Sequence, residues 1–219
     1  MQNIQKNILF IQIICVSLQT IKINTRTFMR KLLFLLLALF ALTASAQNAS
    51  TLYEQGKKLY DEKKYAEAFP KLKAAAEKGH KKAQYRVGRC YDKGRGTDEN
   101  EKLAFQWYEK AANQGYAKAQ YQLGKCYKDG DGTDKDRKKA FELFMKAATQ
   151  ENADAEFAVG KAYLKGKGVT ADQAKAKKWL KRAVGNEKGG KEILAELKKE
   201  AAEGDEDAKT ILALINNKR

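Results

Sequence analysis

One proline, one histidine and three cysteines stand in 219 residues, and no serine follows Ser50. Each scarcity removes a class of function. With His80 as the only imidazole, neither a His-based zinc cluster nor a serine triad can be assembled within one chain. Ser50 is not followed by lysine at the S-x-x-K spacing, so an acyl-serine mechanism lacks its nucleophile. With no Pro-, Ser- or Gln-rich stretch, nothing reads as a disordered linker. The two apolar runs, Ile8 to Leu18 and Leu32 to Leu42, both fall short of the roughly 20 residues that span a bilayer as a helix.

What is present at the N-terminus is a secretory pattern. Met29-Arg30-Lys31, the run Leu32 to Leu42 and Ala44-Ser45-Ala46 supply the basic, apolar and small-residue parts of a signal peptide, with cleavage expected after Ala46. Residues 1–28 precede an ordinary start at Met29 and read as a mis-called extension; 29–46 are the signal peptide. No cysteine follows the apolar run, so a lipoprotein anchor is not indicated and the expected destination is periplasmic or secreted. Removing 1–46 deletes five basic residues and no acidic one, which lowers the net charge from +16 by five to +11. That excess is mostly lysine scattered over helical positions such as Lys71, Lys110, Lys138 and Lys177, a solvated face rather than the clustered arginine stripe that reads nucleic acid.

Beyond the signal, four residues recur at a fixed interval of 36: Ala83, Gly88, Tyr91 and Gly94 return as Ala119, Gly124, Tyr127 and Gly130, then as Ala155, Gly160, Tyr163 and Gly166. A constant period of this length marks stacked supersecondary units that bury their apolar faces only against one another. Each unit reads as two helices. Ala83, Val87 and Tyr91 lie on one face of a first helix, Gly94 to Asp98 breaks it, and a second helix from about Asn100 to Gln114 turns Leu103, Ala104, Trp107, Tyr108, Ala111 and Ala112 inward until Gly115 stops it. Gly88, Gly124 and Gly160 are placed where a missing Cβ lets the two helices approach. Cys90 and Cys126 hold the same place in neighbouring units, farther apart than a disulfide allows, and are expected as buried thiols.

The pattern Leu-Gly-x-x-Tyr-x-x-Gly-x-Gly-Thr followed by Lys-x-Ala-Phe-x-x-x-x-Lys-Ala-Ala, carried in three copies over about Lys82 to Val184, resembles the Sel-one-like repeat family, a tetratricopeptide-related class. The resemblance implies an all-α, right-handed α/α solenoid. Its expected parts are a tetratricopeptide-like unit at 47–81, whose Gly56 precedes Gly88 by only 32 residues, repeats at 82–117, 118–153 and 154–189, and a degenerate or capping helix pair at 190–219. Some secreted relatives in that family are cysteine-rich and associated with penicillin binding and weak β-lactamase activity. This chain lacks a cysteine pair within each repeat, as well as the serine nucleophile.

Opposite the core arc of the first helices lie an aromatic column, Tyr53, Tyr85, Tyr121 and Phe157, and a basic column one turn later, Lys57, Arg89, Lys125 and Lys161, with Lys82, Lys93 and Lys118 alongside. In the resembling families the first helices line the concave surface, which implies a groove of rings and cations suited to an extended peptide with acidic groups. The alternative is that the rings wedge between adjacent first helices while the charged tips stay solvated. His80 is expected as a loop residue. Asp129, Asp131, Asp134 and Asp136 do not fit an EF-hand loop, which would need Gly at Asp134 and Glu at Ala140; Asp134 is expected near the start of the next helix. The sequence thus reads as a non-enzymatic binder of a protein or peptide in the cell envelope, with no cofactor or metal. The alternatives are a basic binder of anionic glycan or lipopolysaccharide and the hydrolase of the cysteine-rich relatives.

Overall fold

Each break in the apolar period becomes a turn between antiparallel helices. The computed structural model describes residues 28–33, 36 and 48–217. Residues 1–48 form one unit and Ala49–Arg219 another. In the first, residues 28–33 and 36 are helical and exposed, and the expected cleavage point after Ala46 lies outside the described residues. In the second the helices follow one another as α1 (48–61), α2 (Tyr65–Glu77), α3 (Lys81–Asp92), α4 (Glu101–Asn113), α5 (Ala117–Asp129), α6 (Arg137–Ala148), α7 (Ala153–Lys165), α8 (Gln173–Val184), α9 (Gly190–Ala202) and α10 (Glu206–Asn216). Each of α2 to α10 packs against its neighbours in sequence, and no strand occurs among the described residues: the architecture is the expected all-α solenoid. No described helix is long and apolar enough to cross a membrane.

Helix starts repeat as strictly as the core. Asn100, Asp136 and Asp172, each 36 residues apart, accept the backbone N–H of Leu103, Lys139 and Lys175 at 2.9 Å. A cap of this kind contributes about 1 kcal/mol. Asp134 lies two residues before Asp136, the cap of α6, near the helix start as expected; the Tyr127 carbonyl accepts Asp136 N–H at 2.8 Å and fixes the loop's end there, and Tyr91 and Tyr163 do the same for Asn100 and Asp172. His80 is more than a loop residue. Its Nδ1 accepts Ala83 N–H at 3.2 Å as the N-cap of α3.

Within a repeat the two helices touch at the glycine. A Cβ on Gly88 would lie 2.7 Å from the Tyr108 ring, and one on Gly124 or Gly160 would lie 2.6 Å from Phe144 or Leu180. Between repeats the contact is aromatic. Tyr91, Tyr127 and Tyr163 meet Phe69, Phe105 and Phe141 of the preceding second helix edge to face, at 5.4, 5.4 and 5.3 Å. Such a pair is worth roughly 0.5–1.5 kcal/mol beyond its buried area. Gly96, Gly132 and Gly168 run against backbone of the preceding second helix: a Cβ there would lie 2.2, 2.4 and 2.0 Å from the carbonyl oxygens of Tyr65, Glu101 and Arg137.

The tetratricopeptide-like repeat joins α1 to α2 through residues 62–64 alone, with Lys63 at φ 62°, which accounts for its missing four residues. At the other end Leu197, Ala208, Ile211 and Ile215 of α9 and α10 close over Leu180. Cys90 and Cys126 are free and buried, and burial pushes their thiols up to about 11 and about 12.

Candidate functional site

The first helices present the expected columns unequally. Tyr53 is 7% exposed and its ring stacks on His80 at 4.4 Å, so it offers no ring surface to a partner. Tyr85 is half-buried, with its ring 5.9 Å from Tyr108 and 5.4 Å from Tyr116; burial raises its phenol above the ordinary range, partly offset by the Arg89 charge. Lys57 pairs with Glu54 at 3.9 Å and Lys93 with Asp92 at 3.5 Å, while Lys82 and Lys118 are exposed. On this stretch the rings are spent on packing between repeats.

Farther along, the columns converge. Tyr121, Lys125, Phe157 and Lys161 line one cavity of about 500 Å³ between α5 and α7, over the N-terminal half of α6. Its floor is apolar, with Phe141, Phe144, Ala140, Ala158 and Ala162 beside Tyr121 and Phe157. The Tyr121 ring lies 5.7 Å from Phe144, and burial pushes its phenol up to about 12. Lys161 Nζ lies 5.4 Å from the Phe157 ring centroid, close enough for a cation–π contact.

The ring contacts of the column also change at this interface. Tyr53 meets His80, and Tyr85 meets Tyr116, the residue 36 positions later. Thirty-six further on stands Asn152, which caps α7 by accepting Ala155 N–H at 2.8 Å and brings no ring to Tyr121.

Five further cations complete the rim: Lys128 and Lys165 at the ends of the first helices α5 and α7, and Lys135, Arg137 and Lys167, which first-helix periodicity could not supply. Three of them sit in or beside the loops that join paired helices. The signal that could have found them is a charge difference between copies, since Lys135 and Arg137 stand where the preceding repeat has Glu99 and Glu101. Among the described residues no group of three or more His, Cys, Asp or Glu is placed to hold a metal ion. The arrangement can hold an anionic, partly apolar ligand by contact and charge.

The Sel1 repeat family matches residues 81–116, 117–152 and 153–184. The chain is similar to the crystal structure of a Sel1 repeat protein from Oxalobacter formigenes, at 32% identity over 74% of each chain with a TM-score of 0.60. It is also similar to a protective antigen of uropathogenic Escherichia coli strains that displays an SLR fold, at 28% identity and a TM-score of 0.64. There the match spans 81% of this chain but 40% of the antigen. No curated protein sequence matches. Together with the 36-residue period and the glycine contacts that generate it, the identity to the Oxalobacter protein places this chain in the Sel1 repeat family.

Proposed function

We propose that this chain is an interaction module that holds a peptide segment of another protein against the face built by α5 and α7, and that it works in the cell envelope after export through the segment 29–46. Sel1 repeat proteins are generally non-enzymatic protein-interaction scaffolds, and the coarse reading rests on that membership. The observation that carries the finer one is the cavity where Tyr121, Lys125, Phe157 and Lys161 meet. A peptide laid there gains ring contact at low entropic cost and charge-assisted hydrogen bonds.

Photoreactive side chains at positions 118 and 128, both exposed on α5, test it in the native envelope. Capture of the same defined protein from both positions supports the reading. Capture of glycan alone moves the function to an anionic envelope surface, and capture of nothing at either position removes it.

A further inference from the structure

The cavity between α5 and α7 is set apart from the rest of the stack by charge. Seven cations and two carboxylates, Asp129 and Asp154, line it. Lys128 pairs with Asp129 at 3.2 Å and Lys165 pairs with Asp207 of α10. Lys125, Lys135, Arg137, Lys161 and Lys167 make no salt bridge among the described residues, although the Asp207 carboxylate also feels the Lys161 and Lys167 charges. The cations outnumber the nearby carboxylates around a partly enclosed apolar floor, where low-dielectric walls focus the field.

Shifting the lining residues back by 36 shows how local this is. The equivalent charged positions are Arg89, Lys93, Lys118 and Lys125 against Asp92, Glu99, Glu101, Asp129 and Asp131, four cations to five anions where the cavity has seven to two. The fold is the same in both places and the charge is reversed. The ring contact that Tyr116 makes with Tyr85 has no counterpart here, with Asn152 standing where Tyr116 does.

Resting on the interaction reading above, we propose that this cavity is a specificity site for an acidic peptide segment that places an aromatic or large apolar side chain on the floor formed by Tyr121, Phe144 and Phe157 and at least two carboxylates against Lys125, Lys161 and the Lys135–Arg137 edge. The neighbouring interface, net acidic at the equivalent positions, rejects the same segment. The apolar floor argues for peptide over phosphate or a sulfated sugar, which would use the rim and leave the rings uncovered.

The test uses the purified protein and a fluorescent probe peptide of alternating glutamate and phenylalanine, with a glutamine-for-glutamate isostere as control. The variant Lys135→Glu/Arg137→Glu installs the residues that the preceding repeat already carries at these positions, so its fold is expected to survive, and its helical signal and melting temperature are checked alongside. The acidic probe is expected to bind the wild type at low salt, to lose at least about tenfold in affinity in the variant, and to be favoured over the glutamine isostere by a similar factor. Equal binding of the acidic probe to wild type and variant overturns the proposal. So does binding of a sulfated oligosaccharide in place of the peptide. Envelope crosslinking run on the same variant separates the two readings: a defined partner still captured with undiminished yield leaves the interaction module standing and removes the acidic site, whereas no protein captured by either form removes the module itself.

Discussion

Glu156 is the one acidic residue with no exposed surface, and its neighbours show how a repeat absorbs a substitution. At the same place in the two preceding copies, Gln84 and Gln120 donate through Nε2 to the Ala76 and Ala112 carbonyls and accept from Gln114 and Gln150 at 2.7 Å. A carboxylate cannot donate. Arg182 takes over, with Nε 2.6 Å from Glu156 Oε1 and Nη2 donating to the Ala148 carbonyl at 3.4 Å, and Asn186 donates to Glu156 Oε2 at 3.0 Å. Arg182→Ala should destabilise by about 2 kcal/mol, less than a fully buried pair because the arginine is 45% exposed. Glu156→Gln in that background should recover most of the loss, since it restores the amide of the earlier copies; denaturant unfolding of the four-member cycle measures both. His80 makes a second residue-scale prediction. Burial, then the Lys82 charge, holds its imidazole below the ordinary 6.5. The unfolded chain then binds more protons than the folded one, so this contribution is complete above about pH 6.5 and is lost as pH falls through the folded value. His80→Asn keeps a capping side chain and should flatten that acid-side decline in melting temperature.

At the scale of helices and loops, the two demands that fall on glycine, a left-handed backbone and a close approach, are separable. Gly168 has φ 75° and backbone of the preceding second helix where a Cβ would go, while Gly115 has the same φ of 75° and open space. Gly115→Ala should therefore cost only the left-handed strain, about 1 kcal/mol, and Gly168→Ala about 3 kcal/mol or more because backbone must move. The difference in unfolding free energy reads the inter-repeat contact directly. Glu151 occupies the position of Gly79 and Gly115 one copy later and is held at φ 61°. Glu151→Gly should raise stability by about 0.5–1 kcal/mol, its exposed pair with Lys188 contributing little. In the three full repeats these elements were legible in the sequence because the helix-pairing glycines, the second-helix caps and the Gly-x-Gly loops fall on the 36-residue grid. The capping role of His80 was not, because its neighbours on that grid are Tyr116 and Asn152, three unlike side chains sharing one backbone position. Tyr53 keeps its register in the column, 32 residues before Tyr85 as Gly56 is before Gly88, but its ring is buried against His80, which spacing on one helix does not reveal.

Over the whole molecule, a solenoid's stability is close to a sum of repeats and their interfaces, so local differences between copies persist as local differences in surface. The columns of rings and cations could be read from first-helix spacing alone. Their gathering into a single cavity could not, because Arg137 comes from the start of a second helix and Lys135 and Lys167 from loops, and periodicity on one helix face is silent about side chains arriving from elsewhere. Net charge is equally uninformative at this scale. The +16 of the chain is spread widely, yet it is the copy-to-copy change at a few positions that makes one interface cationic. Backbone amide shifts on adding the acidic probe peptide to isotope-labelled protein test this most directly. Perturbations concentrated in Tyr121–Asp129, Asp154–Lys165 and the first turns of α6, with α3 and α4 unmoved, are the predicted result; a footprint centred on α3 and α4, or on α9 and α10, would contradict it.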